Sequence, residues 1–221
     1  MFHQRRPSFG TAVRPPSDNA DRRAANRHVT VFKAARIEAG EGDDLCLIRN
    51  ISNTGLMIQT SFPLKRDQHV VIEIRSDSQL EGTVRWTRDH VAGIELDTPT
   101  DVGAMLQTPA RKARSKSRAP RFERSGTARI RGPQGSTSAP IENISLSGAC
   151  VATDVGFRLH ESVTVNIEGM SETTGEISWV GPHAVGVHFL QPLRFHEFEA
   201  WLLRPELQPK PQITVRPSTE G

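Results

Sequence analysis

A six-residue motif that occurs twice is the strongest constraint on what this chain can fold into. Asn50-Ile51-Ser52-Asn53-Thr54-Gly55 returns as Asn143-Ile144-Ser145-Leu146-Ser147-Gly148, and the offset is 143 − 50 = 93 residues. The same offset relates further residues, with no insertion or deletion between residues 50 and 96. These pairs are Val70 and Val163, Ile74 and Ile167, Gly82 and Gly175, Trp86 and Trp179, His90 and His183, and Gly93 and Gly186. Because chance seldom keeps such a register, the sequence predicts two copies of one module.

Length and composition are compatible with two small domains. The chain has 221 residues, which is enough for two domains of roughly 100 residues each. Hydrophobic residues make up only 36%, but the shortfall lies in the ends and the middle of the chain, so each module can still bury a small core. The net charge of +3 is too mild to require a nucleic-acid partner by itself.

The cysteines and the N-terminal segment bear on the expected location. Cys46 and Cys150 are not related by the repeat, so they indicate neither a disulfide framework nor a metal-ligand set. A reducing compartment is therefore expected. Residues 1–22 contain arginines and prolines but no apolar run. These features predict a soluble cytoplasmic protein without membrane insertion.

Short runs of alternating apolar and polar residues predict β-strands in both modules. In the first module Val70, Ile72 and Ile74 alternate with more polar neighbours, and Gly, Pro, Asp and Ser separate the runs. The corresponding runs of the second module are residues 127–130, 149–151, 163–167, 176–179 and 186–189. Five or six such strands in about 75 residues predict a small barrel or a sandwich.

Three local predictions complete this outline. Residues 38–44 contain glycines and acidic residues and are predicted to form a turn-rich loop. Trp86 and Trp179 each share a strand face with an apolar neighbour, which predicts that both are core residues. Residues 193–203 have apolar positions at helical spacing and are predicted to form an amphipathic helix that covers the end of the second module.

Composition divides the chain into five segments. Residues 1–21 are polar and rich in Pro and Arg, and they are predicted to be a disordered tail. Residues 22–107 form the first module and residues 121–205 the second. A basic linker, residues 108–120, separates them, and its positive stretch is interpreted either as a tether or as an anion-binding arm. Residues 206–221 are predicted to be a flexible tail.

A basic arm followed by the repeated motif has the chemistry of a guanine-nucleotide site. Arg23 and Arg27 precede Asn50, and guanidinium groups bind both phosphates and the O6/N7 edge of guanine. The Asn50 side chain offers an acceptor to guanine, and Ser52 supplies a small hydroxyl. Gly55 lets the backbone turn sharply or approach a ligand closely. Together these residues indicate a nucleotide that is bound rather than chemically transformed.

These motifs resemble the PilZ domain family. The family pattern is Arg-x-x-x-Arg followed by Asp or Asn-x-Ser-x-x-Gly, which Arg23-x-x-x-Arg27 and Asn50-x-Ser52-x-x-Gly55 match. The resemblance covers about residues 22–107 and 115–204. It implies an all-β fold with a minor helix, in which two six-stranded antiparallel barrels lie in tandem and the helix follows the second barrel.

The resemblance also implies a ligand, the bacterial second messenger cyclic di-GMP, which many PilZ domains bind. The arginines would contact its phosphates and guanines, with Arg22 as an auxiliary, and the motif would hold a guanine. The implied ligand residues of the first module are Arg22, Arg23, Arg27, Asn50, Ser52 and Gly55.

The second module departs from the family pattern in its arginines. Its motif residues Asn143, Ser145 and Gly148 are intact. If Arg121 is the second arginine, however, the first position falls on Ser117, and the Arg114/Arg118 pair has the right spacing but lies three residues further upstream. This module is therefore either a degenerate copy or a weaker site that uses Arg118 and Arg121.

Alternatives to ligand binding stay open. The motif is also compatible with a simple turn, in which Asn and Ser bond their own backbone and Gly takes a positive φ. A PilZ-like module without nucleotide would bind a protein instead. Nucleic-acid binding through the basic linker would weaken steeply with salt, and it is disfavoured because neither module interleaves aromatic residues on a basic face.

The sequence contains no set of residues that indicates catalysis. There is no arrangement of nucleophile and base, no phosphate-binding Gly-Lys-Ser/Thr loop and no pair of carboxylates at repeated positions. The chain is therefore expected not to be an enzyme and to need no metal or cofactor. Its expected partners are cyclic di-GMP and an unidentified downstream protein.

Overall fold

Two closed antiparallel β-barrels of six strands each make up the fold. The computed structural model describes residues 29–40, 42–101 and 118–207. The strands of the first barrel are β1 (Val29–Ala39), β2 (Gly42–Ser52), β3 (Gly55–Gln59), β4 (His69–Arg75), β5 (Ser78–Arg88) and β6 (Val91–Leu96). Those of the second are β7 (Gly126–Gly132), β8 (Gly135–Ser145), β9 (Gly148–Ala152), β10 (Ser162–Ile167), β11 (Thr173–Val180) and β12 (Ala184–Phe189). The predicted fold class is confirmed.

Both barrels have the same strand order and the same register. The first runs β1-β2-β3-β6-β5-β4, and the second runs β7-β8-β9-β12-β11-β10. Val29 pairs with Ile51, and Phe122, in an isolated bridge before β7, pairs with Ile144. The 93-residue offset therefore extends upstream of the motif to the point where each chain segment enters its barrel.

Period-two alternation buries one face of each strand, as the sequence predicts. Val70, Ile72 and Ile74 are at most 2% exposed and belong to the core of the first barrel. Val163 and Val165 occupy the equivalent core of the second. Each buried Val or Ile contributes roughly 1.5–3 kcal/mol, so this alternation supplies much of the stability of each barrel.

The predicted loop at residues 38–44 is wrong. Strand β1 continues to Ala39 and β2 begins at Gly42, and Gly40 has a φ of 62°, which a tight turn requires. The acidic residues that suggest a loop are accommodated by Arg36 on β1. Its guanidinium contacts Glu38, Asp43 and Glu73, at 3.5, 3.3 and 3.0 Å respectively. A cation on the neighbouring strand thus accompanies the acidic residues within the hairpin.

A short helix packs against the second barrel. Helix α1 (Phe195–Leu202) lies inside the predicted range 193–203, and a 3₁₀ turn, Pro205–Leu207, follows it. Phe198, Trp201 and Leu202 are buried in the apolar cluster of that barrel. No helix in the described ranges is long and apolar enough to cross a membrane. The predicted flexible tail at residues 206–221 is wrong at its start, because Glu206 and Leu207 belong to the 3₁₀ turn and Leu207 is buried. The predicted tail at residues 1–21, residues 208–221 and most of the linker, residues 108–117, lie outside the described residues.

The two barrels meet through polar and apolar contacts that the β1–β2 hairpin and the segment after β3 make with the second barrel and its helix. Arg124, only 4% exposed, donates from Nη2 to the Asp43 carbonyl oxygen at 2.7 Å and to Asp43 Oδ1 at 2.8 Å. Ser61 donates from its amide and hydroxyl to Glu199 Oε1 on α1, at 3.3 and 3.1 Å. Leu45 of β2 belongs to the apolar cluster of the second barrel. The contact therefore joins the barrels through a buried ion pair and shared apolar packing.

Removing the buried arginine tests this contact. Arg124→Ala is expected to lower the free energy of unfolding by about 1.5–3 kcal/mol, because it removes the buried charge-assisted bonds to Asp43, whose other carboxylate oxygen still contacts Arg36. The matched control is Arg129→Ala on the exposed face of β7, which should change stability by less than about 0.5 kcal/mol. Urea denaturation of both variants measures the difference, and equal stabilities would contradict a role for this ion pair.

Asp44 is a buried carboxyl at the same contact. It is 2% exposed, its Oδ1 accepts from the Leu45 amide at 2.7 Å, and its Oδ2 has no partner among the described residues. Burial raises the pKa of Asp44 to about 6, and the negative charge of Glu199 adds to this shift, whereas the Leu45 amide and Arg124 oppose it. The folded state consequently binds a proton more tightly than the unfolded chain does.

This shift predicts that the buried Asp44 makes the folded protein more stable at mildly acidic pH than at neutral pH. A carboxyl whose pKa is raised on folding destabilises the protein above that pKa, and the penalty disappears as pH falls toward the unfolded value. Between pH 7.5 and pH 5 the wild type should gain about 1 kcal/mol of unfolding free energy relative to Asp44→Asn. Urea denaturation at both pH values measures this difference, and a constant difference would show that Asp44 does not titrate in this range.

Candidate ligand-binding groove

An open groove on the first barrel brings the motif residues together. Its volume is about 520 Å³, and Asn50, Ser52 and Gly55 all line it. The other lining residues are Thr54, Leu56, Met57, Arg85, Trp86, Gly93, Ile94 and Glu95. Strands β2, β3, β5 and β6 and the β2–β3 turn supply these side chains, so the groove belongs to the barrel itself rather than to a long loop.

The motif serine stabilises the turn between two strands in each barrel. Ser52 is buried, and its hydroxyl donates to the carbonyl oxygen of Gly55 at 3.1 Å. Ser145 makes the same bond to the carbonyl oxygen of Gly148 at 3.2 Å. Asn50 differs, because no described residue hydrogen-bonds to its side-chain amide, although the residue lines the groove. Asn50 is thus a groove-lining motif side chain with free hydrogen-bonding capacity among the described residues.

The motif glycine permits a close approach between strands rather than an unusual backbone angle. A Cβ on Gly55 would lie 2.9 Å from the carbonyl oxygen of Ile94, and one on Gly148 would lie 2.3 Å from that of Val187. Neither glycine has a positive φ. The interpretation of the motif as a turn with a positive-φ glycine is therefore wrong in this respect, although its serine does bond the turn backbone.

The repeated tryptophans are not core residues, so that prediction is wrong. Trp86 is 45% exposed and Trp179 is 37% exposed. The ladder between β5 and β6 shifts register between Val84 and Trp86, and this bulge interrupts the alternation that places Trp86 in the core. A Cβ on Gly93 would lie 2.0 Å from Trp86 Nε1, so the indole rests directly on the glycine backbone. Trp86 thereby becomes an exposed aromatic wall of the groove.

Sequence reasoning missed Met57, Arg85 and Trp86 as groove residues. The signal for Trp86 was present as a tryptophan and a glycine at the same separation in both modules, because Trp179 rests on Gly186 in the same way. Arg85 pairs with Glu95 and contacts Asp67 at 3.5 Å. Its charge is therefore already largely matched by carboxylates.

The arginines of the first module, Arg22, Arg23 and Arg27, lie outside the described residues. Arg118 is described and is exposed, and its carbonyl oxygen accepts a hydrogen bond from the Ser76 amide of the first barrel at 3.1 Å. Arg121 is also exposed and directly precedes Phe122, which pairs with Ile144. Because the 93-residue offset holds up to Phe122, Arg121 corresponds to His28. The motif spacing suggests Arg27 instead, which is one position away.

One group of metal-ligating side chains converges within the described ranges, and it lies outside the groove. Donor atoms of His69, Glu81 and Asp97 lie within 4.8 Å of one another, and His69 Nε2 is 3.1 Å from Asp97 Oδ2. All three residues are exposed. Such a surface group of one histidine and two carboxylates commonly occurs as an ion pair without a metal ion, and it carries no assignment.

The family of the chain follows from these motifs and from comparison with known proteins. The sequence model of the PilZ domain matches residues 21–108 and again residues 115–204. The chain belongs to the PilZ domain family. Both modules of this PilZ protein are therefore members of one family, as the 93-residue repeat predicts. No protein of curated function matches the chain.

Solved structures with related folds share little sequence with this PilZ protein. PlzA of Borreliella burgdorferi in complex with c-di-GMP is 15% identical, over 83% of this chain and 91% of that chain, with a TM-score of 0.36. The inhibitor of motility MotI/DgrA of Bacillus subtilis is 14% identical, over 78% of this chain and 95% of that chain, with a TM-score of 0.31. MrkH of K. pneumonia in complex with c-di-GMP is 13% identical, over 84% of this chain and 89% of that chain, with a TM-score of 0.30. These likenesses are too low to carry residue-level comparison.

The contact between Trp86 and Gly93 can be tested by adding one methyl group. Gly93→Ala is expected to displace the indole, to increase its quenching by iodide and to lower the free energy of unfolding by about 1–3 kcal/mol through overpacking. Gly156→Ala is the control, because a Cβ there meets nothing within 4 Å. Tryptophan fluorescence and urea denaturation measure both effects, and behaviour like that of the control would contradict the close contact.

Proposed function

We propose that this chain is a PilZ-type receptor for cyclic di-GMP that holds its ligand mainly on the first barrel. The proposed ligand residues are Arg22, Arg23, Arg27, Asn50, Ser52 and Gly55. One observation carries the proposal: a single groove gathers all three motif residues next to an exposed aromatic ring. A volume of about 520 Å³ also lies within the range of small-molecule sites, roughly 300–1,000 Å³.

The path of the chain into the first barrel supports a role for the arginines. Val29 pairs with Ile51, and Thr30 pairs with Asn50, so β1 begins beside the motif. Arg27 precedes Val29 by two residues, which span at most about 7 Å between Cα atoms. A long guanidinium side chain attached there has the reach to meet a ligand in the groove. Arg23 lies only four residues upstream of Arg27.

The chemistry of the groove supports a guanine base rather than a hydrophobic ligand. Asn50 has no side-chain hydrogen bond to the described part of the chain, so it can offer a donor and an acceptor to the edge of a base, and the exposed Trp86 ring offers a face for stacking. Base–aromatic stacking contributes roughly 1–3 kcal/mol per base. Met57 adds an adaptable apolar surface. The arm arginines would then contact the phosphates, because Arg85, the arginine that lines the groove, is already paired with Glu95.

In the proposed mechanism, ligand binding folds the arginine arm over the groove. The negative phosphates offset the repulsion between the arginines, so the closed arrangement is favoured only when ligand is bound. This is a population shift driven by the difference in affinity between the two states. The output is a change of surface that an unidentified downstream protein recognises, with no chemical transformation, and we place this signalling role in the cytoplasm.

The second barrel is proposed to bind the ligand weakly or not at all. The residues available to it are Arg118, Arg121, Asn143, Ser145 and Gly148. The segment that contains Arg118 is hydrogen-bonded to Ser76 of the first barrel. A ligand held there would involve the connection between the barrels and would therefore influence their relative orientation.

One observation favours a second candidate function, a PilZ module that binds protein and no nucleotide. The motif serine and glycine have structural roles in both barrels without any ligand, because the serine bonds the turn and the glycine admits the neighbouring strand. The motif would persist in such a module for its fold alone. In that case Trp86 and its groove would be a protein-contact surface.

Calorimetric titration with cyclic di-GMP distinguishes these functions. Asn50→Ala is expected to weaken binding about 10-fold, because one or two hydrogen bonds to the base are lost. Arg27→Ala should weaken it about 10- to 100-fold through loss of charge-assisted bonds to phosphate. Asn143→Ala in the second barrel should have a smaller effect, and Asn166→Ala on the exposed face of β10 should have none. Absence of binding by the wild type would sink the receptor proposal and favour the protein-binding module.

A further inference from the structure

One residue in each barrel occupies a β-bulge directly before the motif asparagine. In the first barrel the β2–β3 ladder shifts between Ile48 and Asn50, so Arg49 is the unpaired bulge residue. In the second barrel the β8–β9 ladder shifts between Ile141 and Asn143, so Glu142 occupies the same place. A bulge redirects a side chain from the regular alternation and often stands beside a functional site. The two barrels thus present opposite charges at one equivalent position.

Arg49 is held by its neighbours on the first barrel. Its Nη1 donates to Gln59 Oε1 at 2.6 Å, and its guanidinium carbon lies 5.2 Å from the centroid of the Phe32 ring. Phe32 is 69% exposed, so this cation–aromatic pair stands at the surface. Gln59 lies two residues from Met57 on β3, which lines the groove. Arg49 therefore supplies a positive charge at the edge of the groove, beside Asn50, with donors left for a ligand.

Glu142 is held in a different way on the second barrel. Its Oε2 accepts a hydrogen bond from Cys150 Sγ at 2.9 Å. Cys150 pairs with Asn143 as Met57 pairs with Asn50, so it stands at the position that lines the groove in the first barrel. Burial and the bond to Glu142 raise the pKa of the Cys150 thiol to about 12, against the opposing charge of Arg121. The thiol thus remains a donor at neutral pH and keeps the carboxylate at this place.

We propose that Arg49 and Glu142 determine which barrel accepts an anionic nucleotide. This inference rests on the proposed function, because it takes cyclic di-GMP as the ligand of these surfaces. Charges at a surface act over about 8 Å at physiological ionic strength, which spans the distance from a bulge residue to a ligand on its neighbouring asparagine. Arg49 attracts the phosphates of the ligand in the first barrel, whereas Glu142 repels them in the second.

Substitutions that change the charge of Arg49 or Glu142, and leave the motif residues unchanged, test this inference. Arg49→Glu gives the first barrel the charge of the second, and Glu142→Arg gives the second barrel the charge of the first. Arg49→Gln and Glu142→Gln remove the charge without reversing it, and they serve if a reversal prevents folding. The control variants are Arg88→Glu and Glu172→Arg, which reverse exposed charges that do not line the groove.

Calorimetric titration of the full chain with cyclic di-GMP then gives the affinity and the stoichiometry of each variant. The wild type should bind one equivalent. Arg49→Glu should weaken that binding about 10-fold or more, and Glu142→Arg should add a second equivalent. The glutamine variants should show smaller changes in the same directions, and the control variants should match the wild type. The effect of Arg49→Glu should also shrink at high salt, since these charges are exposed to solvent.

The outcomes separate this inference from the proposed function. If the wild type binds one equivalent but Arg49→Glu behaves like Arg88→Glu, or Glu142→Arg gains no second equivalent, the inference is overturned while the receptor function stands. If the wild type binds nothing and Glu142→Arg binds one equivalent, the first-barrel site and the role of Arg49 are overturned, and only the role of Glu142 stands. If neither the wild type nor Glu142→Arg binds, both are overturned.

Discussion

Both barrels depend on places where two strands approach more closely than a side chain would allow. A Cβ on Gly82 would lie 2.4 Å from the carbonyl oxygen of Glu95, and one on Gly55 would lie 2.9 Å from that of Ile94. The second barrel repeats these contacts at Gly175 and Gly148. A six-stranded barrel has a narrow interior, and glycines at such points let the sheet curve tightly enough to close. The repeated glycines therefore have a structural cause that is independent of any ligand.

The groove is a consequence of this close packing. Because the β5–β6 ladder is bulged before Trp86, the indole leaves the core and rests on Gly93 of the neighbouring strand. The ring then forms a wall of the groove that Asn50 also lines. Barrel closure and the candidate site thus share the same residues, which explains why the motif would be retained even in a barrel that has lost its ligand.

The sequence predicts the architecture well because repetition and alternation are local patterns. It does less well where the environment of a residue depends on strand pairing. The acidic residues of the β1–β2 hairpin suggest a loop, but they lie in paired strands, where Arg36 contacts Asp43 and also Glu73 on β4. Trp86 suggests a core residue, but a bulge in the β5–β6 ladder turns it outward. Asn50, Ser52 and Gly55 were foreseen as a group because they lie in one turn, whereas Met57, Arg85 and Trp86 join them only through strand pairing.

The differences between the copies show where each barrel has adapted to its surroundings. Asp43, which pairs with the buried Arg124, corresponds to the uncharged Ser136 in the second barrel. Arg124 itself corresponds to Val31. The exchange of Arg49 for Glu142 is of another kind, because the partners of each among the described residues lie in its own barrel and both residues lie beside the motif asparagine. Such divergence beside a retained motif supports the proposal that the two barrels differ in the ligand they accept.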